Sequence, residues 1–264
     1  MTIVDQLNRT IQIKYVPKRI VSLVPSQTEL LYDLGLESSI VGITKFCVHP
    51  QHFISNINVV GGTKQVHFNK IKALEPDIIL CNKEENTQEM IEALEKIAPV
   101  HISDIYSIED CLKLISMYGT LFSVESQAKE LIAIIKIEQQ KFQDFIIEQP
   151  KLNTVYFIWK DPWMVAANHT FINSLMTEAK FENHFQNLER YPEIDLDKDM
   201  DEQVEVIMLS TEPFPFKEEH IKILKRKFPK VKVLLVDGEL FSWYGSRLAK
   251  SFEYFKTLRS EFLK

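Results

Sequence analysis

The stretch Val124–Glu148, "VESQAKELIAIIKIEQQKFQDFIIE", contains neither proline nor glycine, and Pro150 ends the pattern. Its apolar residues recur at helical spacing and form one stripe along a helix; they are Val124, Ala128, Leu131, Ile135, Phe142 and Phe145. A helix of this length spans about 37 Å at roughly 1.5 Å per residue, which is longer than the average globular helix. We therefore predict one connecting helix over residues 123–149.

On either side of this helix, strand-like runs alternate with amphipathic runs. The strand-like runs are "RIVSLV", "SIVGIT", "DIILCN" and "VHISDI" before the helix, and "NTVYFIW", "VEVIMLS" and "KVKVLLVD" after it. Such alternation is typical of parallel sheets flanked by helices. We predict an α/β fold of two lobes, residues 1–122 and 150–264, each with a mainly parallel sheet, joined by the long helix. A (β/α) barrel is the alternative at this length, and the uninterrupted central helix argues against it.

Two short patterns predict how the first and the last helix begin. Ser26 and Glu29 have the spacing of a capping box at the start of the first helix. Near the end of the chain, Gly245 allows a sharp turn and Ser246 is placed to cap the last helix.

Composition and charge exclude several classes of function. With 37 acidic and 31 basic residues the formal net charge is −6, and the one basic run, at 222–232, has the pattern of an exposed helix face followed by a strand. A nucleic-acid partner is not expected, because neutralising phosphates requires a basic patch. No apolar run approaches the roughly 20 residues of a membrane helix. The three cysteines lack close spacing, so a disulfide framework is not expected.

The opening residues 1–24 contain no basic segment followed by an apolar one, and Asp5 interrupts them. This pattern differs from that of a secretory signal. The sequence as printed predicts a cytoplasmic location, whereas an export segment lying outside it would make the protein periplasmic or extracytoplasmic.

Aromatic residues are concentrated where predicted strands end. The segments "IWKDPWM", "STEPFPF" and "DGELFSWYGSR" all follow strands of the second lobe, and "VPSQTE", "TKFCVHP" and "GGTK" follow strands of the first. Ligands of open parallel sheets bind outside the carboxyl ends of the strands, and aromatic loops suit a large, partly flat ligand. We expect Phe241 and Trp243 to alternate as strand-end residues and to face the same side. The alternative is that Trp243 packs on the closing helix against Phe252 or Phe255.

Several of these segments resemble a known family. The opening "DQLNRTIQI…PKRIVSLVPSQTELLYDLGL…IVGIT" and the later "GGTKQVHFNKIKALEPDIIL" are similar to the periplasmic binding proteins of the helical-backbone class, which serve ABC importers of vitamin B12, haem and ferric siderophores. The similarity covers nearly the whole chain, and the cobalamin-binding branch is the nearest in kind. The resemblance implies two α/β lobes, one linking helix, a ligand between the lobes, little hinge motion and no catalysis.

The resemblance also implies site residues. The position of a pocket tyrosine that precedes a proline is occupied here by His49, and a pocket phenylalanine matches Phe185 in "ENHF". Acidic residues that dock the permease match Glu89 and Glu239. The full set of expected ligand-binding residues is Pro25, Phe46, His49, Trp163, Phe185, Phe214, Phe241, Trp243 and Arg247. We expect a monomer with no intrinsic cofactor, whose ligand is a cobalamin-like corrinoid, haem or a ferric siderophore; His49 is a candidate axial ligand to the metal of such a molecule.

Other interpretations of the same residues stay open from the sequence. Cys47, His49 and His52 are potential metal ligands, and Cys47 is a candidate nucleophile for a thiol-dependent enzyme. The acidic run at 195–205 lacks the register of a calcium loop. Arg247 suits either a ligand carboxylate or phosphate or a structural pair with a local acid. A cytoplasmic corrinoid-binding or sensing relative without a permease is a further alternative.

Overall fold

The structure is a computed structural model that describes residues 1–263. By the density of internal contacts the chain divides into two compact units. Unit 1 comprises Met1–Ile105, Glu109–Lys136 and Tyr244–Arg247. Unit 2 comprises Tyr106–Ile108, Ile137–Trp243 and the described residues from Leu248 onwards. The predicted α/β class with parallel sheets flanked by helices is confirmed, and the two separate sheets rule out the barrel alternative.

The sheet of unit 1 contains five parallel strands in the order β5-β4-β3-β6-β7. Its strands are β3 (Ile20–Ser22), β4 (Ile40–Ile43), β5 (Asn58–Val59), β6 (Ile78–Asn82) and β7 (Val100–Ser103). An antiparallel hairpin, β1 (Thr2–Val4) and β2 (Thr10–Gln12), precedes the sheet. The helices are α1 (Pro25–Asp33), a 3-10 turn (Glu37–Ser39), α2 (Phe53–Asn56), α3 (Phe68–Ala73), α4 (Gln88–Leu94) and α5 (Ile108–Phe122). The buried strands β3 and β6 fit the apolar runs of the sequence, because a parallel sheet is covered on both faces.

The sheet of unit 2 has four parallel strands in the order β10-β8-β11-β12, with β9 antiparallel to β8. Its strands are β8 (Leu152–Trp159), β9 (Met164–Val165), β10 (Phe181–Asn183), β11 (Val206–Ser210) and β12 (Lys232–Val236). The helices are α7 (Phe171–Glu178), α8 (Glu218–Lys227), α9 (Gly238–Ser242) and α10 (Leu248–Ser260).

The predicted long helix is α6, Glu125–Ile146. Ala128, Ile135 and Phe142 of the predicted stripe are buried. The helix begins in unit 1 and ends in unit 2, since the division falls after Lys136. Within the part of the chain that the structure describes, no helix is long and apolar enough to cross a membrane.

Two residues, Ser123 and Val124, separate α5 from α6. Ser123 is in the left-handed region, with a φ of 57°. The two helices approach closely at Gly119, where an added Cβ would lie 2.7 Å from the Cβ of Ala128. Glycine is therefore required at this crossing, because any side chain would push the helices apart.

The predicted capping box at the start of α1 is wrong. The helix begins one residue earlier, with Val24 as N-cap and Pro25 in the first turn, and no side chain caps it. Proline suits this position because its missing N–H would have no helical partner there. Ser26 and Glu29 are both buried instead, and Glu29 pairs with an arginine described below.

Candidate functional site

The carboxyl edge of the unit 1 sheet carries three of the expected ligand-binding residues. Pro25 follows β3 and is partly buried, and the loop after β4 carries Phe46 and His49. The ring of Phe46 is 48% exposed, with the Lys45 ammonium 5.0 Å from its centroid. His49 is partly buried in the same loop. Two of the expected residues therefore share one loop, and an exposed aromatic ring is part of it.

Cys47 lies in that loop but is fully buried. Its Sγ is 3.1 Å from the Thr28 hydroxyl and 3.2 Å from the Thr44 hydroxyl. Burial raises the pKa of the Cys47 thiol above its ordinary value, because a thiolate is poorly solvated there. A reactive thiolate is disfavoured at this position, which argues against the thiol-dependent enzyme.

The sequence grouping of Cys47, His49 and His52 does not form a metal site. The Nε2 of His52 lies 2.6 Å from a carboxylate oxygen of Glu37. Across residues 1–263, no three side chains of the metal-ligating types come together. The acidic run at 195–205 is likewise occupied by local turns, with the Asp195 carboxylate accepting from the Asp197 amide at 2.9 Å.

The loop after β6 was missed by the sequence analysis. The Asn82 side chain accepts hydrogen bonds from the amides of Glu84 and Glu85, at 2.8 and 3.2 Å. The Asn86 amide donates to the Thr63 carbonyl at 2.8 Å, which ties this loop to the one after β5. Burial raises the pKa of Glu85. The sequence did contain a signal, because "KEEN" at 83–86 follows a strand, and ligands bind where strands end.

In unit 2, Trp163 and Phe214 belong to a continuous set of aromatic rings. Trp163 stacks on Phe216 with an interplanar angle of 11° and a centroid distance of 6.0 Å. Phe214 lies 4.7 Å from Phe216 and meets Trp159 edge-on at 5.5 Å. Trp159 is 39% exposed. The loops after β8 and β11 thus present one aromatic surface, in which the outermost ring, Trp159, was not among the expected residues.

Phe185 and Phe241 lie deeper than Trp159 and Phe214. Phe185 is buried in the hydrophobic core of unit 2, in the same cluster that Trp163 and Phe214 pack against. Phe241 is fully buried, with its ring 5.1 Å from that of Tyr156 and 4.7 Å from that of Phe255.

The segment around Trp243 is helical where a strand end was expected. Phe241 belongs to the short helix α9, which Asp237 caps by accepting from the Leu240 amide at 3.2 Å. The expected strand-like alternation of Phe241 and Trp243 is therefore wrong. Trp243 follows the helix, is 8% exposed, and donates its indole Nε1–H to a carboxylate oxygen of Glu212 at 2.8 Å.

The turn at Gly245 is confirmed by its φ of 103°. The expected cap at Ser246 is wrong, because the buried hydroxyl of this residue has no hydrogen-bond partner within the described chain. The last helix begins at Leu248, two residues later.

Arg247 is buried in unit 1. Its Nε donates to one carboxylate oxygen of Glu29 at 2.7 Å and its Nη2 to the other at 3.0 Å. Both side chains are nearly inaccessible, with 9% and 6% of their surface exposed. The guanidinium forms a bidentate pair with an acid of helix α1, which is distant in sequence.

The two expected docking residues occupy equivalent positions in their own units. Glu89 is exposed in the first turn of α4, and Glu239 is partly buried in the first turn of α9. Each helix is capped by a side chain, Thr87 in the first case and Asp237 in the second. A carboxylate in a first turn is favoured by the helix dipole.

Solved structures of low sequence identity share this fold. The periplasmic vitamin B12 binding protein BtuF of Vibrio cholerae superposes with a TM-score of 0.81 at 17% identity, covering 94% of this chain and 99% of that chain. The periplasmic haem-binding protein RhuT from Roseiflexus sp. RS-1 gives a TM-score of 0.80 at 15% identity, with 94% and 99% covered.

Curated relatives are also similar in sequence. The uncharacterized ABC transporter substrate-binding lipoprotein YvrC of Bacillus subtilis is 31% identical over 149 residues, 54% of this chain and 46% of that protein. The chain thus aligns with less than half the length of this relative. A vitamin B12-binding protein of Vibrio campbellii is 20% identical over 195 residues, 73% of this chain and 70% of that protein.

The model of the family described as "Periplasmic binding protein" matches residues 20–227, well over half of the chain. This is a family of solute-binding proteins without catalytic activity, which confirms the expectation that the protein is not an enzyme. The chain belongs to the periplasmic binding protein family.

Proposed function

We propose that this protein binds a cobalamin-like corrinoid and delivers it to an ABC importer, with haem or a ferric siderophore as the next candidate ligands. The observation that carries the proposal is the combination of exposed aromatic rings and already paired cations at the carboxyl edges of the two sheets. A corrin ring offers a flat face for the aromatic rings, and its rim carries neutral amide side chains.

The aromatic rings favour a flat ligand. Phe46 in unit 1 is 48% exposed and Trp159 in unit 2 is 39% exposed, and both lie at strand ends. Large aromatic rings left in water are unfavourable, whereas rings that stack on a ligand bury much apolar surface. The loops that carry these rings occupy the place where ligands of parallel sheets bind.

The cations favour a ligand with a neutral rim over haem, whose two propionates are anionic. Lys64 donates to the Glu84 carbonyl, and Lys160 pairs with Asp161. Arg247 is buried against Glu29. Recruiting these cations for a propionate would break bonds that already exist, while amide groups need only ordinary donors and acceptors. Lys45 is the exception, since its ammonium lies over the Phe46 ring.

His49 is the proposed axial ligand to the metal of the bound molecule. Neutral imidazole binds such metals through one ring nitrogen. The residue is partly buried in the loop that carries Phe46, so its ring is near a strand end without being sequestered in the core. The other proposed contacts are Pro25, Trp163, Phe214 and Trp243.

Transport is proposed from the relatives. Some relatives are named vitamin B12-binding proteins, and one is named an ABC transporter substrate-binding lipoprotein. These names support a permease as the partner. Glu89 and Glu239 are the proposed docking residues. We also propose that residues 1–122, 123–149 and 150–264 act as lobe, linking helix and lobe, in a monomer, with Tyr244–Arg247 of the last segment packing in unit 1.

The ligand is tested by titrating the purified protein with hydroxocobalamin, hemin and a ferric hydroxamate siderophore, following tryptophan quenching and ligand absorbance. We expect the corrinoid to bind most tightly, and His49→Ala to change the visible bands of bound hydroxocobalamin. His67→Ala is the matched control, because His67 is an exposed histidine of unit 1 outside this loop. Tighter binding of hemin, or no binding of the corrinoid, would refute the proposed ligand.

A further inference from the structure

Trp243 stands at a point where the chain changes unit. The residues up to Trp243 belong to unit 2, Tyr244–Arg247 belong to unit 1, and the chain returns to unit 2 at Leu248. The residues that follow Trp243 therefore pack in a different unit from Trp243 itself.

On the side of unit 2, the indole is held by Glu212. This residue lies two positions beyond the end of β11, and one of its carboxylate oxygens accepts from Trp243 Nε1 at 2.8 Å and from the Ser242 hydroxyl at 2.9 Å. A hydrogen bond to a carboxylate is stronger than one between neutral groups. An indole N–H that is largely removed from water needs an acceptor, so the rotation of the ring is coupled to this carboxylate.

Glu212 is itself held in place. The Ser210 hydroxyl donates to the Glu212 carbonyl at 2.5 Å, and the Tyr156 hydroxyl donates to Ser210 at 3.1 Å. At Gly238 an added Cβ would lie 2.6 Å from Glu212 Cγ and 2.4 Å from Ser210 Oγ. The absence of a side chain at position 238 leaves room for the carboxylate.

On the side of unit 1, three of the four residues after Trp243 are held by hydrogen bonds. The Tyr244 hydroxyl accepts from the Gln27 amide at 2.9 Å and lies 3.1 Å from the Ser103 hydroxyl. The Gly245 amide donates to Cys111 Sγ at 3.0 Å, and Arg247 pairs with Glu29. The residues that follow Trp243 are therefore bonded within unit 1, whereas the hydrogen bond to Glu212 orients the indole within unit 2.

From this geometry we infer that Glu212 is the positioning residue for Trp243, setting the orientation in which the indole meets a flat ligand. The inference rests on the proposed function, in which Trp243 contacts the ligand. Glu212 acts through the indole and does not itself touch the ligand. It thereby links the loop after β11 to the binding properties of a residue 31 positions later in the sequence.

The test uses the full chain with Trp243 as its single tryptophan, in a Trp159→Phe/Trp163→Phe background, since the sequence contains three tryptophans. In this background Glu212→Ala should shift the emission to the red and increase acrylamide quenching. Glu212→Gln keeps an oxygen acceptor and should stay near the parent. Glu202→Ala, at an exposed acid of unit 2, is the matched control and should change nothing.

Cyanocobalamin binding is then measured in otherwise native chains by isothermal titration. Glu212→Ala should weaken binding by up to about tenfold, because the indole loses the bias towards its binding orientation that one hydrogen bond to a charged group provides, and Glu212→Gln should restore most of it. If Glu212→Ala fails to fold, the positioning role is tested in Glu212→Gln by NMR of the Trp243 indole N–H proton. Loss of the charged acceptor should move the resonance of this proton upfield.

The outcomes separate this inference from the proposed function. Unchanged emission and quenching in Glu212→Ala, or an unmoved indole proton in Glu212→Gln, would overturn the positioning role. Altered emission without any change in affinity for cyanocobalamin would also overturn it, because the orientation would then be irrelevant to binding. If the native chain binds hemin and not cyanocobalamin, the ligand assignment fails, and the same variants titrated with hemin test the positioning role.

Discussion

The buried pair of Arg247 and Glu29 offers a direct test of whether this arginine serves the fold or the ligand. In Arg247→Met the Glu29 carboxylate loses two hydrogen bonds, of 2.7 and 3.0 Å, and the cation that offsets its burial. Hydrogen bonds to charged groups contribute about 1.5–3 kcal/mol each. Breaking a buried pair by removing one partner costs about 3–5 kcal/mol. We therefore expect the free energy of unfolding to fall by about 3–5 kcal/mol.

Removing both charges should be far less damaging. In Glu29→Leu/Arg247→Met no carboxylate is left to be desolvated, and apolar side chains of similar size fill the space. We expect the double variant to recover most of the loss, to within about 2 kcal/mol of the parent. The control is Lys141→Met, which breaks the largely exposed pair of Lys141 with Glu138 and should cost less than about 1 kcal/mol.

The assay is urea denaturation at pH 7, followed by circular dichroism, together with cyanocobalamin titration of each folded variant. A loss below about 1 kcal/mol in Arg247→Met would show that the pair is not structural, since exposed pairs have that magnitude. If such a stable variant also bound cyanocobalamin poorly, Arg247 would be the ligand contact that the sequence suggested. A recovery of stability in the double variant would instead assign the residue to the fold.

Three further changes test the site and the core. Trp163→Ala should weaken cyanocobalamin binding by about 1–3 kcal/mol, because it removes a stacked ring; an unchanged affinity by isothermal titration would take Trp163 out of the site. Glu89→Lys with Glu239→Lys should abolish uptake in a transport assay and leave ligand affinity unchanged, since rim charges steer a partner; lost ligand binding would mean that these residues were misassigned. Burial lowers the pKa of His101 from 6.5 to about 4. As the pH falls, the imidazole of His101 is therefore protonated in the unfolded chain before it is protonated in the folded one. The contribution of His101 to stability is therefore complete above about pH 6.5 and is lost towards pH 4, by up to about 3 kcal/mol. Urea denaturation at several pH values should show that His101→Phe loses less stability than the parent between pH 6.5 and pH 4. If the free energy of unfolding fell equally steeply with pH in both proteins, His101 would not be the source of this loss.

The fold could be predicted because its signals are repeated along the chain. Five of the six apolar positions of the predicted stripe lie in α6, and two of them, Ala128 and Ile135, are among its most buried residues. The alternation of strands and helices is likewise set by long patterns of burial, which are the most reliable sequence signal. Single local features were harder to predict. At α1 the preference of proline for a first turn prevailed over the capping-box spacing.

For the candidate site, the sequence indicated which loops carry aromatic residues and not which of these side chains are exposed. Strand ends were identified correctly as aromatic, yet Phe46 is exposed and Phe241 is fully buried. Both are phenylalanines just beyond a strand, and nothing local distinguishes them. The difference arises from packing against residues distant in sequence, such as Phe255 on the last helix. The same holds for Arg247, whose partner Glu29 is 218 residues away.

The four residues Tyr244–Arg247 limit how the protein can be divided into fragments and determine when unit 1 is completed during synthesis. They belong to unit 1, although about a hundred residues of unit 2 precede them in the chain. A fragment ending within α6 would lack the groups that bond Gln27, Ser103 and Glu29. No single break in the gene therefore encodes both units intact. Unit 1 can be complete only after Arg247 has been synthesised, so its last contacts form after most of unit 2 has been made.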